Sequence, residues 1–166
     1  ALAALEVLKR ELPVDMQSVR RGLIELELPG RFQQIPGRPS VVLDVAHNPQ
    51  AVSMLAANLG DMGFHDKTHA VVGMLADKDI AGALAPLAGK VSHWYVATLD
   101  VPRGAPGSQL AALVASQELG GEVTSYPDPA IAFAAARKAA GENDRILVFG
   151  SFYTVAAVMR ALKERP

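Results

Sequence analysis

The chain has no cysteine in its 166 residues, which removes disulfides, thiolate nucleophiles and cysteine-based metal centres from the ways it could be held together or do chemistry. That absence leaves the redox compartment undecided. An excess of charge is also lacking. Sixteen Lys and Arg stand against seventeen Asp and Glu, for a formal net charge of -1, and no basic block tracks along the sequence, so no nucleic-acid partner is expected. No apolar run is long enough to span a bilayer, and the N-terminus lacks the charged-then-apolar layout of a secretory signal. No membrane partner is expected, and a cytoplasmic protein is the default. Neither a GxxxxGK[ST] loop nor a GxGxxG turn occurs, so nothing here cradles a triphosphate or dinucleotide unaided. No metal ligand is assigned, and His65, His69 and His93 are read as lying outside any metal site.

What is present is apolar and regularly spaced. Half of the residues are hydrophobic, enough to bury a real core in one domain with a fragment of another. The organising stretch is SVVLDVAHNP at 40–49. Val41, Val42 and Leu43 form a run apolar on both faces, as in a strand covered on each side, and Val45 and Ala46 continue it. Asn48 and Pro49 then read as helix cap and first helical residue, and Val52, Leu55, Ala56 and Leu59 recur at helical spacing. Asp44 and His47 therefore sit at the carboxyl end of a buried strand, the edge where open α/β sheets bind ligands.

Upstream, residues 1–23 look helical, with Leu2, Leu5, Leu8 and Leu12 near one face and Pro13 marking a break before a second short helix from Asp15. Two such helices cannot bury their faces alone, so they read as the remnant of a preceding domain, with residues 1–28 assigned to it and 29–166 to the main domain. Ile24 to Leu28 alternates as a strand would, and Pro29-Gly30 turns into RFQQIPGRP, a short edge strand. Downstream, apolar runs at 41–46, 70–75, 91–99, 122–126 and 145–149 alternate with helical stretches near 49–62, 78–88, 106–119, 128–140 and 151–164. Five strand–helix pairs imply a Rossmann-like α/β domain of three layers, its mostly parallel sheet flanked by helices.

Polar residues gather after these strands: Asp44, His47 and Asn48; Asp77, Lys78 and Asp79; Asp100 and Arg103; Asp128; Ser151. Asp77, Asp79, Asp100 and Asp128 read as loop and cap residues. Asp44 differs, because a carboxylate inside an apolar strand needs either protein donors or a ligand hydroxyl such as a ribose. His47 is a proton carrier, a phosphate donor or a turn residue bonded to its own loop. Ser151 opens a helix and is either a plain cap or a group that helps the exposed amides receive an anion.

Five motifs in this order, LPGRFQ (28–33), DVAHNP (44–49), GMLADKDI (73–80), PRGA (102–105) and FGSFYTVA (149–156), make the chain resemble the C-terminal part of the bifunctional dihydrofolate synthase/folylpolyglutamate synthases, relatives of the Mur ligases. The resemblance implies an ATP-dependent ligase that phosphorylates a pteroate or folate carboxylate and lets the amine of L-glutamate attack the acyl phosphate. It implies ATP contacts for Arg31 and Asp44. It places His47, as a catalytic and ATP-binding residue, by the phosphates or the incoming glutamate, and Ser151 by the glutamate carboxylate, with Lys78 placed suitably for an anion. ATP and magnesium are the implied cofactors, the magnesium ligands belonging to an ATPase domain absent from this sequence. The implied partners are ATP, L-glutamate and dihydropteroate or tetrahydrofolate, and the implied state is a monomer when full length. The fragment alone is expected to be inactive. The alternatives are a stand-alone α/β nucleotide-binding or regulatory module, and a Mur-type ligase acting on a cell-wall precursor.

Overall fold

The computed structural model describes residues 2–26 and 28–163. Two short helices come first, α1 (Leu2–Val7) and α2 (Met16–Ile24), and neither contains a buried residue. Asp15 caps α2 by accepting from the Ser18 N–H at 2.8 Å. The IELEL alternation does not become a strand: Ile24 ends α2, and residues 25, 26 and 28 are in neither helix nor strand, while Glu27 lies outside the described residues. Alternation marks a strand only where one face is covered, and here Ile24, Leu26 and Leu28 are all more than half exposed.

From residue 33 onward six strands form one sheet. They are β1 (Gln33–Ile35), β2 (Ser40–Leu43), β3 (Thr68–Val72), β4 (His93–Ala97), β5 (Glu122–Tyr126) and β6 (Arg145–Phe149), in the spatial order β1-β2-β6-β3-β4-β5. β1 runs antiparallel to β2, and every other pairing is parallel. The helices between them are α3 (Pro49–Asp61), α4 (Ile80–Leu84) followed by one 3-10 turn at Ala85–Leu87, α5 (Gly107–Ser116), α6 (Pro129–Ala139) and α7 (Phe152–Lys163). Two apolar layers result. Val42, Leu55, Leu59, Val72, Trp94 and Phe149 are buried on the α3, α4 and α5 side; Leu43, Val71, Ile146, Val148, Phe133 and Val158 are buried on the α6 and α7 side. At about 1.5–3 kcal/mol for each large apolar side chain, these layers are the main stabilising contribution. Trp94 is wholly buried, and its indole N–H donates to the Gly120 carbonyl at 2.9 Å, so it brings apolar area without an orphan donor.

The three-layer architecture agrees with the sequence reading, and the boundaries differ in instructive places. The run 70–75 leaves the sheet after Val72, and the helix expected from residue 78 begins at Ile80, because Asp79 spends its carboxylate on the Gly82 N–H as the cap. Asn48 and Asp128 cap α3 and α6 in the same way.

At the amino edge lies a buried polar network the sequence did not suggest. The His69 ring bonds Tyr95 Oη and Asp144 Oδ2, each at 3.1 Å. Burial raises the Asp144 carboxyl, but bonds from the Gly141 N–H and His69 outweigh it and hold the group below its ordinary value. Desolvation pushes the Tyr95 phenol up to about 12. His65 and His69 stand four apart, a spacing that converges on a metal only along a helix. Here His65 is in a loop and His69 in β3, and among the described residues no group of three His, Asp or Glu could hold a metal ion.

Candidate functional site

The order β2-β6-β3 at the middle of the sheet decides where chemistry can gather. These three strands are neighbours in space but remote in sequence, so the loops leaving their carboxyl ends meet. The loop after β2 carries His47, the loop after β3 carries Leu75 and Lys78, and the turn after β6 carries Gly150 and Ser151. Together with Phe152 and Tyr153 they line one cavity of about 220 Å³. Three of the five residues singled out in the sequence thus share a cavity.

Gly150 makes the convergence possible. Its φ is +103°, and a Cβ there would lie 2.7 Å from the Gly73 carbonyl oxygen and 2.8 Å from Met74 Cγ; only glycine lets β6 pass so close to the end of β3 and turn at once into α7. Thr154 ties the same two elements by donating its hydroxyl to the Gly73 carbonyl at 2.7 Å. Ser151 is 5% exposed, and its Oγ accepts from the Tyr153 N–H at 3.2 Å. The serine is therefore a local cap whose hydroxyl proton can still be donated. His47 Nδ1 lies 2.8 Å from the Val45 carbonyl. A carbonyl can only accept, so Nδ1 carries the proton, and Nε2 is the nitrogen left for a ligand. Lys78 is half-buried, with its backbone held by bonds from its own N–H to Leu75 O and from the Ile80 N–H to its carbonyl. The cavity therefore offers a cation, a histidine nitrogen, a hydroxyl and the amide end of a twelve-residue helix, a combination suited to an anion such as a carboxylate.

Asp44 and Arg31 belong to an adjoining region. The Asp44 carboxylate is already occupied: Oδ2 accepts the Phe32 N–H at 2.9 Å and Oδ1 the Ala46 N–H at 2.7 Å. Of the two kinds of partner its position demanded, the protein supplies donors itself. It staples the 28–33 turn to the end of β2, aided by the Val45 N–H bond to Gly30 O at 2.8 Å. Phe32, held at φ +43°, is the strained residue of that turn. Arg31 and Phe32 line a second cavity of about 370 Å³ with Leu26, Leu28, Pro29, Gln33 and Gln34. The Arg31 guanidinium carbon lies 5.6 Å from the centre of the Phe152 ring, within cation–π range. Phe152 therefore walls the first cavity and touches a residue of the second, which the sequence reading missed. The available signal was the FY pair directly after the strand-end serine, too early in α7 to face the core.

A mostly parallel sheet covered by helices on both faces, with strand-end loops converging on a small cavity, places the chain in the doubly wound α/β class, whose ligands bind at that edge of the sheet. The chain belongs to the Mur ligase, glutamate ligase domain family, whose model matches residues 30–152. It is 42% identical over 165 residues to the dihydrofolate synthase/folylpolyglutamate synthase of Escherichia coli K12, a match that covers 99% of this chain and 37% of that enzyme. Among solved structures it is similar to Escherichia coli FolC in complex with DHPP and ADP, with a TM-score of 0.88 at 41% identity, covering 98% of this chain and 37% of that one. It is also similar to a bifunctional folylpolyglutamate synthase/dihydrofolate synthase with Mn, AMPPNP and L-glutamate bound, with a TM-score of 0.86 at 44% identity, over 98% of this chain and 38% of that one. The chain thus spans a little over a third of the length of each of these relatives.

Proposed function

We propose that this chain is the C-terminal, amino-acid-receiving lobe of a longer ligase that joins L-glutamate to dihydropteroate or folates. The observation that carries this is the shared cavity of His47, Lys78 and Ser151 at the carboxyl edge, together with relatives whose names and bound molecules include ADP, AMPPNP and L-glutamate. In this reading MgATP supplies the phosphoryl group that turns a carboxylate into an acyl phosphate. The chain's own residues do the rest of the positioning. Lys78 and Ser151 hold a glutamate carboxylate by charge and hydrogen bond. His47, fixed through Nδ1, offers Nε2 to the phosphates or to the incoming amine. Arg31 leaves the face of Phe152 for a nucleotide phosphate or purine, which its planar guanidinium suits, and Asp44 positions the turn that bears Arg31 while its remaining lone pairs accept a ribose hydroxyl. Holding amine and acyl group together accounts for much of the rate of such a reaction.

The residues present fit one half of a nucleotide site. Because the chain spans 37% of the length of the ligase it resembles, residues 1–28 are read as the end of a preceding ATPase domain that would carry the phosphate loop and the magnesium ligands. The same reading makes the full-length ligase a cytoplasmic monomer and the isolated chain inactive. In the full-length ligase, Lys78→Gln raises the KM for L-glutamate about tenfold, the value of one charge-assisted bond, and leaves the KM for ATP within about twofold. An unchanged glutamate KM, or turnover by the isolated chain with ATP, dihydropteroate and glutamate, refutes it. Tight ATP binding by the isolated chain in calorimetry favours the stand-alone module instead.

A further inference from the structure

Lys78 is flanked by two acids, Asp77 and Asp79, yet among the described residues it enters no salt bridge. Both acids are committed elsewhere. Asp79 Oδ1 accepts the Gly82 N–H at 2.9 Å as the cap of α4. Asp77 Oδ2 takes Arg103 Nη1 at 2.7 Å. Arg103 reaches it from the loop after β4 across a short antiparallel ladder: the Ala76 N–H donates to Arg103 O at 2.7 Å, Leu75 bridges Gly104, and the Ala105 N–H donates to Met74 O at 2.9 Å. Gly104 is required there because a Cβ would strike the Leu99 carbonyl, and Arg103 itself sits at φ +67°. The backbone ladder fixes the two loops without any side chain. As a source of stability the ion pair is a poor candidate, since its side chains are 67% and 39% exposed and such pairs contribute little.

We infer that Arg103 is a positioning residue for anion binding: by holding the Asp77 carboxylate on its own side, it keeps the neighbouring Lys78 ammonium uncompensated and turned to the cavity shared with His47 and Ser151. Without Arg103, the nearest cation on the same loop for Asp77 is Lys78, and an internal ion pair competes with the incoming carboxylate. This inference rests on the reading of that cavity as the amino-acid site.

The test is a double-variant cycle in the full-length ligase, with L-glutamate varied at saturating ATP and dihydropteroate. Arg103→Gln raises the glutamate KM about tenfold with kcat and the ATP KM within about twofold, because only ground-state capture of the anion is weakened. Asp77→Asn alone leaves the glutamate KM within about twofold of wild type, and adding Asp77→Asn to Arg103→Gln restores it, because the competing carboxylate is gone. A double variant as impaired as Arg103→Gln overturns the inference, since Arg103 would then touch the substrate or hold the loop. An Asp77→Asn variant as impaired as Arg103→Gln also overturns it, since the pair would then be a structural clamp. Lys78→Gln separates the two levels. If it raises the glutamate KM while Arg103→Gln does not, only this inference fails; if it leaves the KM unchanged, the reading of the cavity fails first.

Discussion

Replacing Asp44 with alanine removes the acceptor that joins the 28–33 turn to the sheet. Two backbone amides lose a charged partner, the Phe32 N–H at 2.9 Å and the Ala46 N–H at 2.7 Å. Bonds to charged groups contribute about 1.5–3 kcal/mol each, but the site is only part-buried and water can replace some of that. The net loss is therefore about 2–4 kcal/mol. At about 2–4 °C per kcal/mol for a chain of this size, the melting temperature falls by roughly 5–15 °C. Asparagine keeps one acceptor oxygen and turns its NH2 towards the other amide, so Asp44→Asn falls between wild type and alanine. Urea unfolding of the three proteins, followed by far-UV circular dichroism, measures this series. An alanine variant within about 0.5 kcal/mol of wild type refutes the assignment of the carboxylate as a staple. In the full-length protein, under the proposed ligase activity, the Asn variant then isolates the nucleotide role: a raised ATP KM in a folded protein supports a ribose contact, and an unchanged one leaves Asp44 with the turn alone.

Two further outcomes follow from the geometry. Gly150→Ala places a methyl group 2.7 Å from the Gly73 oxygen at a φ of +103°, so thermal or urea unfolding records a loss of about 2–4 kcal/mol; a neutral result contradicts the required close passage of β6 over the end of β3. Stability also depends on pH in two steps. Burial holds the His93 imidazole below its ordinary 6.5 despite Glu122 nearby, so the unfolded chain takes up that proton first as pH falls, and stability is lost from about pH 6.5 downward. The Asp144 carboxyl, held below 3.8, gives a second loss under that value by the same sign. Urea midpoints at descending pH check both, and a midpoint that rises between neutral pH and pH 5.5 contradicts the first.

The central strands were legible because burial on both faces writes them as continuous apolar runs: VVL in β2 and ILVF in β6 have no polar residue to suggest another state. Caps were legible for a similar reason, since Asn48, Asp79 and Asp128 each precede a helix and each accepts its amides. IELEL misled because alternation reports a possible face and not whether anything covers it. The site was half legible. Residues at strand ends could be named, but their grouping depends on β6 inserting between β2 and β3, a long-range pairing with no local trace. That pairing puts Ser151 beside His47 and Lys78 and leaves Asp44 serving its own turn. The Asp77–Arg103 pair lies 26 positions apart in sequence and was hidden for the same reason, as was Phe152 beneath Arg31.

The most direct measurement is an electron-density map of the full-length protein crystallised with a non-hydrolysable ATP analogue and L-glutamate. The result expected is a glutamate carboxylate within hydrogen-bond distance of Lys78 Nζ and the Ser151 hydroxyl, with Arg31 on the nucleotide side. Glutamate bound elsewhere, with only solvent among His47, Lys78 and Ser151, contradicts it.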